Sequence, residues 1–311
     1  MRFETIRVVI GEPGREVRQS IRTALFDRGF RLIHEAESVQ ALSEFVKSGN
    51  ADLIIGDIAM PDGSYCNLVR RFRHHEIGPS PFILVISLME NPTAEAVKKV
   101  FDSGTDDLIV KPFAPNQLIE RVMTLARGRK PFVVTHDYIG PDRRRGPPRP
   151  GAAETPLIEV PNPLRAKANG EVDPIRLQQM IDAAAALINE QKMERHATQI
   201  TYLLERIIPA YEMGGGPKLD TLLDQLLYAG EDLSRRLRGT RYAHVAELAM
   251  SLVGLTMRIR NGGMKADYKD YELLPKLCQA IDRAFSREAN TAEVAKEISR
   301  TLGKVVAGTR Q

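Results

Sequence analysis

The chain has 311 residues, enough for two ordinary domains, and its 43% hydrophobic and 27% charged content is that of a globular protein. No apolar run approaches the roughly 18 residues of a membrane span, and the opening MRFETIRVVIGEPGRE lacks signal-peptide architecture, so a cytoplasmic protein with no membrane partner is expected. The net charge of +4 is concentrated in one place: seven basic and two acidic residues lie between Arg127 and Pro150, which supports a local anion-binding segment rather than a chain-wide basic surface.

The first 125 residues alternate between two periodicities. Strand-like runs occupy Ile6–Ile10, Leu32–Glu35, Leu53–Asp57, Phe82–Ser87 and Asp107–Lys111. Helix-like patterns lie between and after them: Val17, Ile21 and Leu25 recur every four residues, and further helices are predicted over Val39–Val46, Cys66–Phe72, Thr93–Phe101 and Pro115–Leu125. Leu53-Ile54-Ile55 and Phe82 to Ile86 are continuous apolar runs, as in strands buried on both faces. The fold class predicted is therefore α/β, a five-stranded parallel doubly wound domain over residues 1–130.

From residue 131 to 172 the pattern lapses. Eight of the chain's 19 prolines fall between Pro131 and Pro163, and a Pro/Arg-rich linker is predicted, with Phe132-Val133-Val134 available to pack on the first domain. Residues 173–311 read as an all-α bundle. Asp173-Pro174 opens a stripe through Leu177, Ile181, Ile188, Ile200 and Ile207 that is expected to end at Pro209. Further helices follow from Leu219, from Val245 to Met257 and from Leu273 to Phe285, with a short fifth opened by Asn290 and Glu293. Cys66 and Cys278 have no metal-ligand spacing and read as free thiols.

In a doubly wound sheet, ligands bind beyond the C-terminal ends of the strands. Those ends here carry Glu12, Asp57, Ser87 and Lys111, the last followed by Pro112, for which a cis peptide bond is expected. Two carboxylates, a hydroxyl and an ammonium suit phosphoryl transfer to an aspartate: carboxylates hold Mg2+, and the lysine and hydroxyl meet the phosphoryl oxygens.

The order Glu12, Asp57-x-x-Met-Pro-Asp-Gly, Ser87, Lys111-Pro112-Phe113 resembles the receiver domain of two-component response regulators, of chemotaxis type, across residues 5–127. The resemblance implies a flavodoxin-like fold with Asp57 as phosphoacceptor and a histidine kinase or phosphotransfer protein as donor. It implies Mg2+ held by Glu12, Asp57 and the Ala59 carbonyl, and phosphoryl sensing by Ser87 and Lys111. Two positions depart from the family pattern. Glu12 is flanked by Gly11 and Pro13 where the family has two adjacent acids, which predicts weaker metal binding or slower phosphorylation, and Leu108 replaces the family's switching aromatic.

Other motifs leave further readings open. Asp142, Arg143, Arg144 and Arg145 resemble, loosely, the arginine-rich tails that bind cyclic di-GMP, since arginine suits phosphates and the acceptor edge of guanine. The helical half could be a degenerate phosphotransfer-like bundle around His244 or a homodimerisation module. Ala246 to Gly254 and Ala295 to Gly303 have helix-turn-helix-like spacing, but the lack of a basic face argues against DNA. The leading expectation is a signalling switch without independent substrate turnover that acts through a downstream protein partner.

Overall fold

The computed structural model describes residues 1–144, 155–170, 173–263 and 267–285. They divide into two compact units, Met1–Ile188 and the part beginning at Asn189.

The first unit is built on a parallel sheet in the order β2-β1-β3-β4-β5, with β1 Arg7–Gly11, β2 Leu32–Ala36, β3 Leu53–Asp57, β4 Leu84–Met89 and β5 Asp107–Val110. Its helices are α1 Arg15–Asp27, α2 Val39–Lys47, α3 Tyr65–Arg73, α4 Ala94–Asp102 and α5 Pro115–Arg127. β3 and β4 are buried along their whole length, which explains why their sequences are unbroken apolar runs rather than alternating ones. The sheet carries a core on each face. One is formed by Val8, Ile10, Ile55, Ile86, Leu118 and Val122, the other by Val9, Ile54, Val85, Leu42, Val69 and Phe72. Ser38, Ser64 and Thr93 cap α2, α3 and α4 through their side-chain oxygens. The Lys111–Pro112 bond is cis, as expected.

The segment read as a linker is structured where it is described. β6 Phe132–Val134 pairs antiparallel with β7 Ile139–Pro141 and with β8 Leu157–Ile158, and α6 Pro163–Asn169 follows. Strands of two and three residues leave no periodic signal between prolines, and packing compensates for their shortness. Phe132, Val134, Ile139 and Ile158 form a core with Phe82 and with Leu177, Ile181 and Ile188 of α7, Pro174–Glu212. Close approach of β7 to the α4–β5 turn needs two glycines: a Cβ on Gly104, at φ +93°, would lie 2.8 Å from the Ile139 carbonyl, and one on Gly140 would lie 2.9 Å from the Gly104 Cα.

A buried ionic hub fastens this added sheet. Asp106 accepts from Arg73 at 2.8 Å, from Arg129 at 2.8 and 3.1 Å, and from the Val85 N–H at 2.8 Å. Arg73 also donates to the carbonyls of Pro81, Ile83 and Gly104, so its guanidinium is well satisfied, although burial draws its pKa down to about 10 against the pull of Asp106. At the sheet's other end, Lys167 of α6 and Arg7 share the Asp52 carboxylate. Burial alone would raise the Asp52 pKa, but these cations hold it below the usual range.

The second unit contains the later part of α7 with α8 Pro217–Leu237, α9 Ala246–Gly262 and α10 Tyr268–Phe285. Its core includes Ile200, Leu203, Ile207, Leu226, Leu233, Leu252, Ile259, Leu274 and Ile281. α7 opens as expected, with Asp173 accepting from the Ile175 and Arg176 N–H groups at 2.9 Å. It does not end at Pro209 but continues to Glu212, because burial of Ile207 and Ala210 on either side outweighs the one backbone donor that proline removes. α9 is continuous through Gly254, so the first helix-turn-helix-like spacing contains no turn. The second such spacing and the helix expected from Asn290 lie outside the described residues. His244 sits in a short 3-10 turn, Ala243–Val245, and its Nε2 is buried, unlike a phosphoacceptor imidazole on an open helix face.

Candidate functional site

The C-terminal edge of the five-stranded sheet gathers three of the predicted side chains. β1 delivers Glu12, β3 ends in Asp57, and Lys111 follows β5. The Lys111 Nζ lies 2.6 Å from Glu12 Oε2 and is also in contact with Asp57 Oδ2. The three side chains are only 2%, 4% and 11% exposed for Glu12, Asp57 and Lys111, so the ion pairs are screened little by solvent. Burial pulls the Lys111 ammonium toward deprotonation, but its bonds to Asp57 and Glu12 outweigh this and hold its pKa above the ordinary value.

Both carboxylates are oriented by the backbone. Glu12 Oε1 accepts from the Gly14 N–H at 2.8 Å, and Asp57 Oδ1 accepts from the Ala59 N–H at 2.6 Å. Each acid therefore keeps one oxygen in a turn and presents the other to the shared cation. Arg18, which sequence reasoning missed, stabilises the loop: it donates to the Glu12 carbonyl at 2.6 Å and pairs with Glu35 and Glu37. Its signal was a cation one residue after Val17, on the apolar stripe of α1.

Ser87 is not where the sequence put it. β4 runs two residues further, to Met89, and Leu88 rather than Ser87 is in register with Asp57. Side chains alternate along a strand, so a one-residue offset turns the hydroxyl to the other face. Ser87 Oγ is fully buried, 2.8 Å from Thr105 Oγ1 and 3.4 Å from the Tyr65 hydroxyl, and none of its hydrogen bonds reaches Glu12, Asp57 or Lys111. The Tyr65 ring lies over Gly56, where a Cβ would meet it at 2.3 Å. Burial pushes the Tyr65 phenol pKa up, with Ser87 opposing. Leu108 pairs with Ser87 across β4 and β5.

The residues fit a small divalent cation. Glu12 Oε2 and Asp57 Oδ2 already converge on one ammonium, and hard carboxylate oxygens are the donors that magnesium takes, with water completing its shell. Among the described residues there is no group of three or more His, Cys, Asp or Glu that could hold a metal ion, so two carboxylates are the protein's charged contribution.

Residues 8–123 match the family described as response regulator receiver domain. The N-terminal unit carries a receiver domain. Over 127 residues, this receiver and the Response regulator MprA of Mycobacterium bovis (strain BCG / Pasteur 1173P2) are 30% identical, covering 41% of this chain and 53% of that protein. The same figures hold for MprA of Mycobacterium tuberculosis (strain ATCC 25618 / H37Rv), so the chain spans about half the length of the curated relatives it matches. Among solved structures, a response regulator from Thermotoga maritima is 28% identical, covering 39% of this chain and 96% of that one at a TM-score of 0.34. The receiver domain of the putative response regulator NarL from Mycobacterium tuberculosis is 21% identical, covering 40% and 99% at a TM-score of 0.37.

The arginine segment is occupied by the receiver itself. Arg143 donates to the carbonyls of Thr105 and Asp106 and lies 4.2 Å over the Phe101 ring, while Asp142 is paired with Arg144 at 2.8 Å. Arg144 and neighbouring groups hold the Asp142 pKa below its ordinary value. Asp142 and Arg144 pair with each other and the Arg143 guanidinium is taken up by backbone carbonyls, so the cyclic di-GMP reading is not favoured; Arg145 lies outside the described residues. Among the described residues no helix is long and apolar enough to cross a membrane.

Proposed function

We propose that this chain is a two-component response regulator that accepts a phosphoryl group on Asp57. The observation that carries the reading is the single ammonium of Lys111 bridging two buried carboxylates at the sheet edge. An Asp57 oxygen attacks the phosphorus of a phosphohistidine on a histidine kinase or phosphotransfer protein. The new O–P bond forms as the P–N bond breaks, and the imidazole leaves and takes a proton. Lys111 follows the charge: it neutralises the attacking carboxylate first and then pairs with a phosphoryl oxygen. Glu12, Asp57 and the Ala59 carbonyl would hold magnesium, which would supply divalent charge to offset the phosphoryl oxygens.

Asp57 is thus a phosphoacceptor in a cytoplasmic signalling protein, and the chemistry is limited to its own phosphorylation and hydrolysis. The phosphoryl group is sensed through Lys111 and the backbone around Asp57, because the Ser87 hydroxyl belongs to a separate buried cluster. The output passes to a protein partner, with the helical unit available for docking or self-association. Incubation of the full chain with acetyl phosphate and magnesium is expected to add one acid-labile phosphate, detected by intact mass and absent from Asp57→Asn. Labelling that persists in Asp57→Asn refutes the assignment, as does no labelling with any small-molecule or phosphohistidine donor.

A further inference from the structure

Helix α9 presents two faces of different kinds. Leu248, Ala249, Leu252, Leu255, Thr256 and Ile259 are buried in the core of the helical unit. On the opposite side Glu247, Met250, Gly254, Met257 and Asn261 recur at alternating intervals of three and four residues, the spacing of a seam between paired helices. Met250 and Met257 on that side are 54% and 43% exposed.

Gly254, at the centre of the seam, has no role within the protomer. Glycine weakens a helix interior relative to alanine, so its presence there needs a reason. Gly230 of α8 has one, because a Cβ on it would lie 2.9 Å from Val253 Cγ2 of α9. At Gly254 nothing among the described residues lies within 4 Å of the position a Cβ would take. The missing side chain leaves a gap between two exposed methionines, into which the backbone of another helix can come close.

The charges along the seam say which helix. Glu247 stands at its N-terminal end. Arg258 flanks its C-terminal end and stays 59% exposed, although its guanidinium donates to Asp270 at 2.9 and 3.1 Å. A turn of about 100° per residue puts Glu247 and Arg258 on the same flank. Two α9 helices crossing antiparallel about a two-fold axis share that flank, so Glu247 of each copy meets Arg258 of the other. A parallel pair would set Glu247 against Glu247.

We propose that the α9 face of Glu247, Met250, Gly254 and Met257 is a homodimer interface, on which a second copy of this chain crosses antiparallel through its own α9. The Gly254 backbones lie nearest the two-fold axis. The methionines suit the crossing, since unbranched thioethers fill the irregular space beside a missing Cβ. A single helix crossing belongs with the interfaces below about 1,200 Å² in total, so reversible association in the micromolar range is expected. The proposal is independent of the chemistry at Asp57.

The test is sedimentation velocity on the full chain from about 1 to 200 µM, with thermal melts taken at the lowest concentration. Wild type is expected to pass reversibly from monomer to dimer over that range. Gly254→Ala adds one methyl group and should weaken dimerisation about tenfold, while the dilute melt stays unchanged or rises because alanine favours helix. Gly254→Leu should abolish the dimer. Glu247→Gln should weaken it at low salt and have no effect at high salt. A wild-type chain that stays monomeric throughout overturns the proposal, as does Gly254→Leu dimerising like wild type. A dilute Gly254→Ala melt below that of wild type also overturns it, because the protomer itself would then need the glycine. Tighter association of Glu247→Gln would mean that like charges meet, and it overturns the antiparallel crossing.

Discussion

Replacing Lys111 by methionine keeps the length of the side chain and removes the cation shared by Glu12 and Asp57. Stranding one partner of a buried ion pair destabilises a protein by about 3–5 kcal/mol. The Lys111 side chain retains 11% exposure at the mouth of the site, which places the expected loss near the lower end, about 3 kcal/mol. For a unit of this size each kcal/mol moves the melting temperature by roughly 2–4 °C, so a fall of about 6–12 °C is expected by far-ultraviolet circular dichroism in chelator. Because the vacated position still faces two carboxylate oxygens, millimolar magnesium should raise the Tm of Lys111→Met more than that of wild type. The pH sign follows from the raised Lys111 pKa. In wild type the contribution is complete below the ordinary value of 10.5 and is lost as pH climbs through the higher folded-state value. An unchanged Tm, or equal magnesium responses in the two proteins, would refute the view that Lys111 balances this carboxylate pair.

Asp106→Ala strands two guanidiniums, since Arg73 and Arg129 are 0% and 2% exposed, and should lower urea stability by about 3–5 kcal/mol. Gly56→Ala forces a methyl group against the Tyr65 ring and should cost about 1–3 kcal/mol in chemical denaturation, whereas Gly29→Ala, with open space around it, meets no such contact and is strained only through its φ of +102°. In the helical unit, His196 is fully buried and bonded to Asp232 at 2.7 Å, and burial holds its pKa below the ordinary 6.5 despite that partner. A depressed pKa makes the stabilisation complete above 6.5 and lost as pH falls through the folded-state value. His196→Gln should therefore flatten the acid limb of the helical unit's unfolding curve.

The doubly wound sheet was legible because parallel strands buried on both faces read as continuous apolar runs, and Leu53-Ile54-Ile55 and Phe82 to Ile86 supply them. The placement of Asp57 and Lys111 at the sheet edge was legible because each stands at the end of its strand, where a boundary error of one residue changes little. Ser87 failed for the same reason in reverse: β4 runs on to Met89, and parity decides which face a strand side chain takes. The added sheet was hidden because β6, β7 and β8 are too short to show a period, and what holds them is long-range. Phe132 packs on Phe82, and Arg129 bonds Asp106. Tyr65 was unreadable as a site residue because it also satisfies an ordinary helix pattern, whereas the one sign of Arg18 was a cation on the buried stripe of α1.

The single accessory acid changes the charge balance of the site in a direction that matters for transfer. Glu12, Asp57 and Lys111 together carry one net negative charge, and a bound divalent cation turns this into one net positive charge. On the proposed assignment, phosphorylation would replace the Asp57 carboxylate by a group of charge about −1.5 to −2, which would bring the loaded site close to neutrality. A second carboxylate at Gly11 would leave that product negative. The structure instead fills the position with a thioether: a Cβ on Gly11 would lie 2.8 Å from Met60 Sδ. On the proposed assignment, the lack of that acid would weaken the hold on the cation and, by the same arithmetic, favour the phosphorylated product over the free carboxylate. Magnesium affinity and retention of the phosphoryl group would therefore be opposed at the proposed site, and Gly11→Asp is expected to raise the first, read as a larger magnesium-induced gain in Tm, at the expense of the second.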